Sequence, residues 1–156
     1  MKLYAGIGAR STPQNILELM TSISKKLYQN DYILRSGGAQ GADSAFECGV
    51  LNKINKEIYK ANDATIASIK LASRYHNNWS ACSPYVKKLH GRNALIILGL
   101  NFKSPVNFVI CWTPNGSDVG GTGLAIRIAK DHNIPVLNLY DENTRNRAVK
   151  YIEALS

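Results

Sequence analysis

Two glycine-rich stretches carry the residues best suited to chemistry: Ser36-Gly37-Gly38-Ala39-Gln40-Gly41-Ala42-Asp43 and Gly120-Gly121-Thr122-Gly123. Each follows a short apolar run and opens an amphipathic helical pattern. Glycine lets the backbone turn tightly and approach a ligand with no Cβ in the way. The helix behind it presents free N–H groups and the positive end of its dipole to the same point, which is the build of a phosphate-binding loop. Two such loops imply one anionic ligand held from two sides. Gly6-Ile7-Gly8-Ala9-Arg10 adds a third loop, with Gly8 for close approach and Arg10 as a cation. Arg10 and Arg92 are both suited to two parallel hydrogen bonds with a phosphate, and Ser36 and Thr122 offer hydroxyls. The ligand-binding set is therefore Gly8, Arg10, Ser36, Gly37, Gly38, Ala39, Gly41, Asp43, Arg92, Asn93, Gly120, Gly121, Thr122 and Gly123.

Other phosphate chemistries are excluded by what is missing. Gly6 and Gly8 begin a G-x-G-x-x-G pattern, but Ser11 takes the third place and Arg35-Ser36 ends the second strand where a ribose-binding acid belongs. No G-K-[ST] is present to hold terminal phosphates and magnesium. Should the site be catalytic, the candidates are Asp43, Glu47 and Arg92. Asp43 also reads as a helix cap or an acceptor for a ribose hydroxyl, and Asp118 as a loop acid beside the site. His76, His90 and His132 are dispersed without metal-ligand spacing, so no metal is expected, nor any other cofactor. There is no G-x-S-x-G elbow, and no cysteine stands next to a histidine in sequence.

The elements that position these residues alternate from end to end. Lys2–Gly8 reads as a strand; Thr12 then offers a cap and Pro13 a first helical residue for a helix ending near Gln29. Strands follow at Tyr32–Arg35 and Glu57–Lys60, flanking a helix that opens at Ala42. Ala64 to about Arg74 reads as a helix, and Tyr75–Trp79 as an irregular aromatic link. Ser83-Pro84 starts another helix that runs to about Leu98. A strand at 107–113 leads to the second glycine loop, and then come a helix at 121–132, a strand at 135–140 and a last helix capped by Asn143. This is the pattern of an α/β, Rossmann-like three-layer sandwich, a mainly parallel sheet with helices on both faces. No repeat or linker divides residues 1–156, so a single domain is expected. All three glycine loops fall at the carboxyl edge of the sheet, where open parallel sheets bind ligands.

Composition bounds the partners. With 19 Lys and Arg against 11 Asp and Glu, the net charge is +8, and from Ala64 to Ser117 there are six basic residues and no acid. That stretch is a candidate anion-facing surface, and Tyr75, Trp79 and Tyr85 within it could stack bases, so a nucleotide or single-stranded DNA is the expected partner. The three cysteines, Cys48, Cys82 and Cys111, are odd in number and widely spaced, which fits a reducing, cytoplasmic setting and no disulfide framework. Neither a signal peptide nor a membrane-length apolar segment is read, so no membrane association is expected.

In these motifs the chain resembles the DNA-processing protein A (DprA) branch of the SLOG superfamily, in its short single-domain phage and bacterial form. The G-G-A-x-G-[IA]-D loop reads Ser36 to Asp43, the Arg-Asn helix motif reads Gly91-Arg92-Asn93-Ala94, and the later loop reads Gly120-Gly121-Thr122. The family's second arginine is Ala94 here, and its S-G-T serine is Gly120. The resemblance implies a Rossmann-like fold, binding of nucleotide phosphate or single-stranded DNA, and self-association into a homo-oligomer. A sister branch, the lonely-guy-type phosphoribohydrolases, implies an alternative: cleavage of the base from a nucleoside 5′-monophosphate. Arg92 matches its arginine, but Arg127 stands where its catalytic glutamate belongs. Asp43, Glu47 or Asp118 would then have to supply the carboxylate. The range of ligands in the superfamily also leaves a sensor or sponge for a signalling nucleotide.

Overall fold

The computed structural model describes residues 2–155. Five strands, β1 (Leu3–Gly6), β2 (Ile33–Ser36), β3 (Lys56–Ile58), β4 (Phe108–Cys111) and β5 (Val136–Asn138), form an all-parallel sheet in the order β3-β2-β1-β4-β5. Six helices connect and flank them: α1 (Gln14–Gln29), α2 (Ala42–Cys48), α3 (Ile66–Ser73), α4 (Pro84–Leu98), α5 (Gly120–Asp131) and α6 (Glu142–Ala154). The fold is thus the expected α/β sandwich.

Alternation along the central strands sorts the core into two layers, because successive side chains of a strand point to opposite faces. Leu3 and Ala5 of β1 and Val109 and Cys111 of β4 pack with Ala94 and Ile97 of α4, Leu124 and Ile128 of α5, and Ala72 of α3. Tyr4 and Ile110 point the other way, into a layer with Ile16, Met20, Ile23 and Leu27 of α1, Phe46 of α2 and Ala148 of α6. The α1 apolar positions recur at helical spacing, so one stripe of that helix is buried. Registers of Tyr4 with Leu34 on one side and with Phe108 on the other fix β1 at the centre. The chain builds outward from β1 to β3 and then returns to β4 on the opposite side. Strand order therefore reverses between β1 and β4, and a crevice opens beyond their carboxyl ends.

Several boundaries differ from expectation for local reasons. β3 ends at Ile58 rather than Lys60, because the chain turns into a short 3-10 segment, Ala61–Asp63, in which the Asp63 carboxylate accepts from the Lys60 amide at 2.7 Å. The Thr12 hydroxyl donates to the Ala9 carbonyl instead of capping α1, and extended Pro13 occupies the cap position. α6 is capped by Asp141, not Asn143: the Asp141 carboxylate accepts from both the backbone and the hydroxyl of Thr144. α3 begins at Ile66, where Thr65 and Ser68 cap each other reciprocally. α4 starts as expected, with Ser83 Oγ accepting from the Val86 amide ahead of Pro84. No helix among the described residues is long and apolar enough to cross a membrane.

Candidate functional site

The crevice between β1 and β4 is the mouth of a cleft of about 1000 Å³. Its walls come from the loops after β1 and β2, the turn after β3, the first half of α4 with the link before it, and the N-terminus of α5. Gly8, Arg10, Gly37, Gly38, Ala39, Asp43, Arg92, Asn93, Gly120, Gly121 and Thr122 all line it. The fold thus gathers into one cavity residues that lie up to 114 positions apart, Gly8 to Thr122.

Other expected members of the site do not reach the cleft. Ser36 is completely buried and its hydroxyl donates to the Gly6 carbonyl at 2.6 Å, so it ties the end of β2 to the end of β1 and has no hydroxyl to offer a ligand. Gly41 and Gly123 lie outside the lining: Gly41 turns the chain into α2, and Gly123 packs against the Asp118 backbone. Glu47 does not line the cleft and pairs with Lys56 at 3.3 Å. Lys60 and Asn62 were not legible as site residues. The useful sign is that they follow β3 at the same carboxyl edge as the glycine loops.

The two glycine loops differ in what their amides face. In the first, the Asp43 carboxylate sits beneath the turn and accepts from the Ala39 amide at 3.1 Å. Burial raises the Asp43 carboxyl above its ordinary value, against the opposing pull of the Ala39 amide and the Arg92 charge. Gly38 adopts φ +69°, a backbone conformation that favours glycine, and the Lys60 ammonium lies where a Cβ would point. In the second loop, no side chain caps α5, and Gly120, Gly121 and Thr122 open directly onto the cleft. An uncapped twelve-residue helix leaves its first-turn N–H groups and dipole for an anion.

Arg92 has two tasks. Its Nη1 donates to the carbonyls of Gly37 at 2.9 Å and Tyr59 at 3.1 Å, and its Nε donates to Asn93 Oδ1 at 2.9 Å. Nη2 has no hydrogen-bond partner among the described residues. Asn93 in turn donates to the Gly121 carbonyl at 3.1 Å, so one Arg-Asn pair on α4 braces both glycine loops. Burial lowers the Arg92 pKa, with Asp43 working against that shift. A guanidinium nevertheless stays charged in proteins.

Arg127, in place of a carboxylate, is also a brace. Its Nε donates to the Tyr75 carbonyl at 2.9 Å and its Nη1 to the Asp118 carbonyl at 2.6 Å, while Lys130 pairs with the Asp118 carboxylate at 3.4 Å. Of the aromatics in the acid-free stretch, Tyr75 donates its hydroxyl to Asp131 and packs on the core, and Trp79 lies against His76 and His90. Tyr85 is exposed on the rim. Cys111 is buried, and burial pushes its thiol up to about 12, which removes it as a nucleophile.

Two of the three histidines come together in space, whereas His132 stays apart at the end of α5. His76, Cys82 and His90 bring their side-chain donor atoms within 4.8 Å of one another, with His76 and His90 on the cleft wall. Sequence reading missed this because an irregular segment separates them. The available sign was His-x5-Cys-x7-His with the third member on a helix. Comparison with family models, with curated proteins and with solved structures finds no match to this chain.

Proposed function

We propose that this cleft binds a nucleotide by its phosphate, as the resemblance to the DprA branch of the SLOG superfamily implies. One observation carries the reading: the uncapped N-terminus of α5 and the braced loop after β2 face the same cavity of about 1000 Å³ at the point where strand order reverses. The phosphate lies against the Gly120, Gly121 and Thr122 amides, where Thr122 Oγ1 and Arg92 Nη2 add donors. Arg10 and Lys60 supply further positive charge on the wall. A free mononucleotide fits better than a strand of single-stranded DNA, because Tyr75 and Trp79 are engaged within the protein and only Tyr85 is left to stack a base. Mass spectrometry of small molecules released by denaturing freshly purified protein tests this. A phosphorylated nucleoside supports it and identifies any signalling nucleotide, whereas a non-phosphorylated compound in the cleft contradicts it.

A second reading is favoured by Asp43. A buried carboxyl with a raised pKa on the wall of a nucleotide site is suited to general acid chemistry, so cleavage of the base from a nucleoside 5′-monophosphate is the enzymatic alternative. Glu47 drops out of this reading, since it pairs with Lys56 away from the cleft. Chromatography of a nucleotide panel after incubation decides it. Free base that appears with the protein and not with Asp43→Asn supports glycosidic cleavage; intact nucleotides throughout leave binding alone. Self-association is part of the same proposal and is read by light scattering of the purified chain.

A further inference from the structure

The part of the cleft wall made by α4 and the link before it holds a second constellation. His76 precedes the 3-10 turn Trp79–Ala81, Cys82 follows it, and His90 lies near the middle of α4. Cys82 Sγ stands 3.5 Å from His76 Nε2, and the two imidazole rings are 5.0 Å apart between centroids. His90 is only 6% exposed, and its Nδ1 has no hydrogen-bond partner among the described residues. A buried imidazole nitrogen without a partner is costly, so its persistence asks for a ligand. Trp79 packs on both rings, at 5.9 Å from His76 and 5.8 Å from His90, and holds their planes.

We propose that His76, Cys82 and His90 form a binding site for a zinc-class divalent ion whose remaining coordination position opens into the cleft. The donor set is two imidazoles and a thiol with no carboxylate. This suits a borderline-soft ion such as Zn²⁺ and does not suit Mg²⁺ or Ca²⁺, which take oxygen ligands. Three protein ligands leave a tetrahedral ion one open position, and His76 and His90 both line the cleft, so a water or an anionic oxygen there completes the shell. On loading, the Cys82 thiol loses its proton to solvent and the sulfur takes the metal. His76 Nδ1 accepts from the Asn78 amide at 3.0 Å, which assigns the ring proton to Nε2. Coordination through either nitrogen breaks that arrangement, so the Asn77-Asn78 stretch shifts when the ion binds. The site rests on these three side chains and not on the nucleotide reading.

The test is titration of metal-stripped full-length protein, kept reduced with a non-chelating phosphine, with Co²⁺ and then Zn²⁺. The expected result is a thiolate-to-cobalt charge-transfer band saturating at one ion per chain and displaced by Zn²⁺. Cys82→Ser abolishes the band, while Cys48→Ser and Cys111→Ser retain it. His90→Gln weakens binding by more than the ~10–100-fold typical of losing an outer-shell partner. Zn²⁺ also raises the melting temperature of the wild type and not of Cys82→Ser, since an ion that binds only the folded state stabilises it. Absence of a charge-transfer band in the wild type overturns the proposal without recourse to any variant. So does a band that survives Cys82→Ser or is lost with Cys48→Ser.

Discussion

Arg92 Nη1 donates to the Gly37 carbonyl at 2.9 Å, so a guanidinium on α4 grips the backbone of the loop after β2. A side chain at Gly37 would collide with that guanidinium and lie 2.9 Å from Asp43 Oδ2, which shows how closely the cation, the loop and the carboxylate are fitted. The shape of the loop after β2 therefore depends on Arg92.

Replacing Arg92 should cost both stability and affinity. Arg92→Ala removes the hydrogen bonds to the Gly37 and Tyr59 carbonyls and to Asn93, an expected loss of about 2–3 kcal/mol in urea denaturation. Nucleotide affinity should fall at least ~10-fold, as one charge-assisted hydrogen bond goes with it. Arg92→Lys keeps the charge but not the fork, so its affinity and stability should lie between those of the wild type and Arg92→Ala. Equal stability of all three proteins would show that the loop stands without its brace.

Asp43 should leave a signature in the pH dependence of stability. Burial raises its carboxyl above the ordinary value of 3.8, so the folded chain keeps a proton that the unfolded chain has released. That contribution to stability is fully present below the unfolded value and is lost as pH rises through the raised folded value. Asp43→Asn has no such proton. Its stability relative to the wild type should therefore grow as pH climbs from 3.8 through the folded value, then level off. Urea midpoints measured for both proteins across this range test the sign, and parallel profiles would contradict it.

Gly38→Ala should be destabilising by about 1–2 kcal/mol, the cost of a left-handed backbone for a residue with a Cβ. The new methyl also displaces the Lys60 ammonium from its place above the loop. Weaker nucleotide binding beyond the stability loss is expected, with Lys60→Ala reproducing the binding defect alone. Unchanged affinity in Lys60→Ala would remove that cation from the site.

Tyr4 offers the opposite kind of change. It is fully buried at the centre of the sheet, its hydroxyl has no partner among the described residues, and burial drives its pKa well above the ordinary tyrosine range. Tyr4→Phe keeps the stacking on Phe108 and the edge contacts with Tyr32 and Phe46 while removing the unsatisfied oxygen. A gain of about 1 kcal/mol is expected, or ~2–4 °C in melting temperature. A loss of that size would mean the hydroxyl has a partner such as an ordered water.

Much of this architecture is written in local sequence signals, because strand-to-helix turns have strong chemical punctuation. Ser83-Pro84 starts α4 by its cap, and the glycines before Ala42 and at Gly120 mark the openings of α2 and α5. The carboxyl edge followed from the alternation of elements, and the three glycine-loop segments of the cleft wall followed with it. Side-chain partners were less legible, since a hydroxyl or guanidinium can serve the ligand or the fold with the same residue type. Ser36 turned out to hold Gly6, and Arg127 to hold the backbone of Tyr75 and Asp118, in each case because a long-range carbonyl lay within reach. His76, Cys82 and His90 escaped for a related reason: the turn that brings them together, Trp79–Ala81, has no periodic pattern to reveal it.

Calorimetric titration with matched pairs of 5′-mononucleotide and nucleoside tests the proposal that the α5 N-terminus and the Arg92-braced loop hold the phosphate of a nucleotide. Loss of the phosphate should weaken binding of the preferred nucleotide by at least ~100-fold, the worth of about two charge-assisted hydrogen bonds. Gly121→Glu, which sets a carboxylate at the mouth of α5, should remove the preference. Equal affinity for nucleotide and nucleoside, or no binding of either, would contradict the claim.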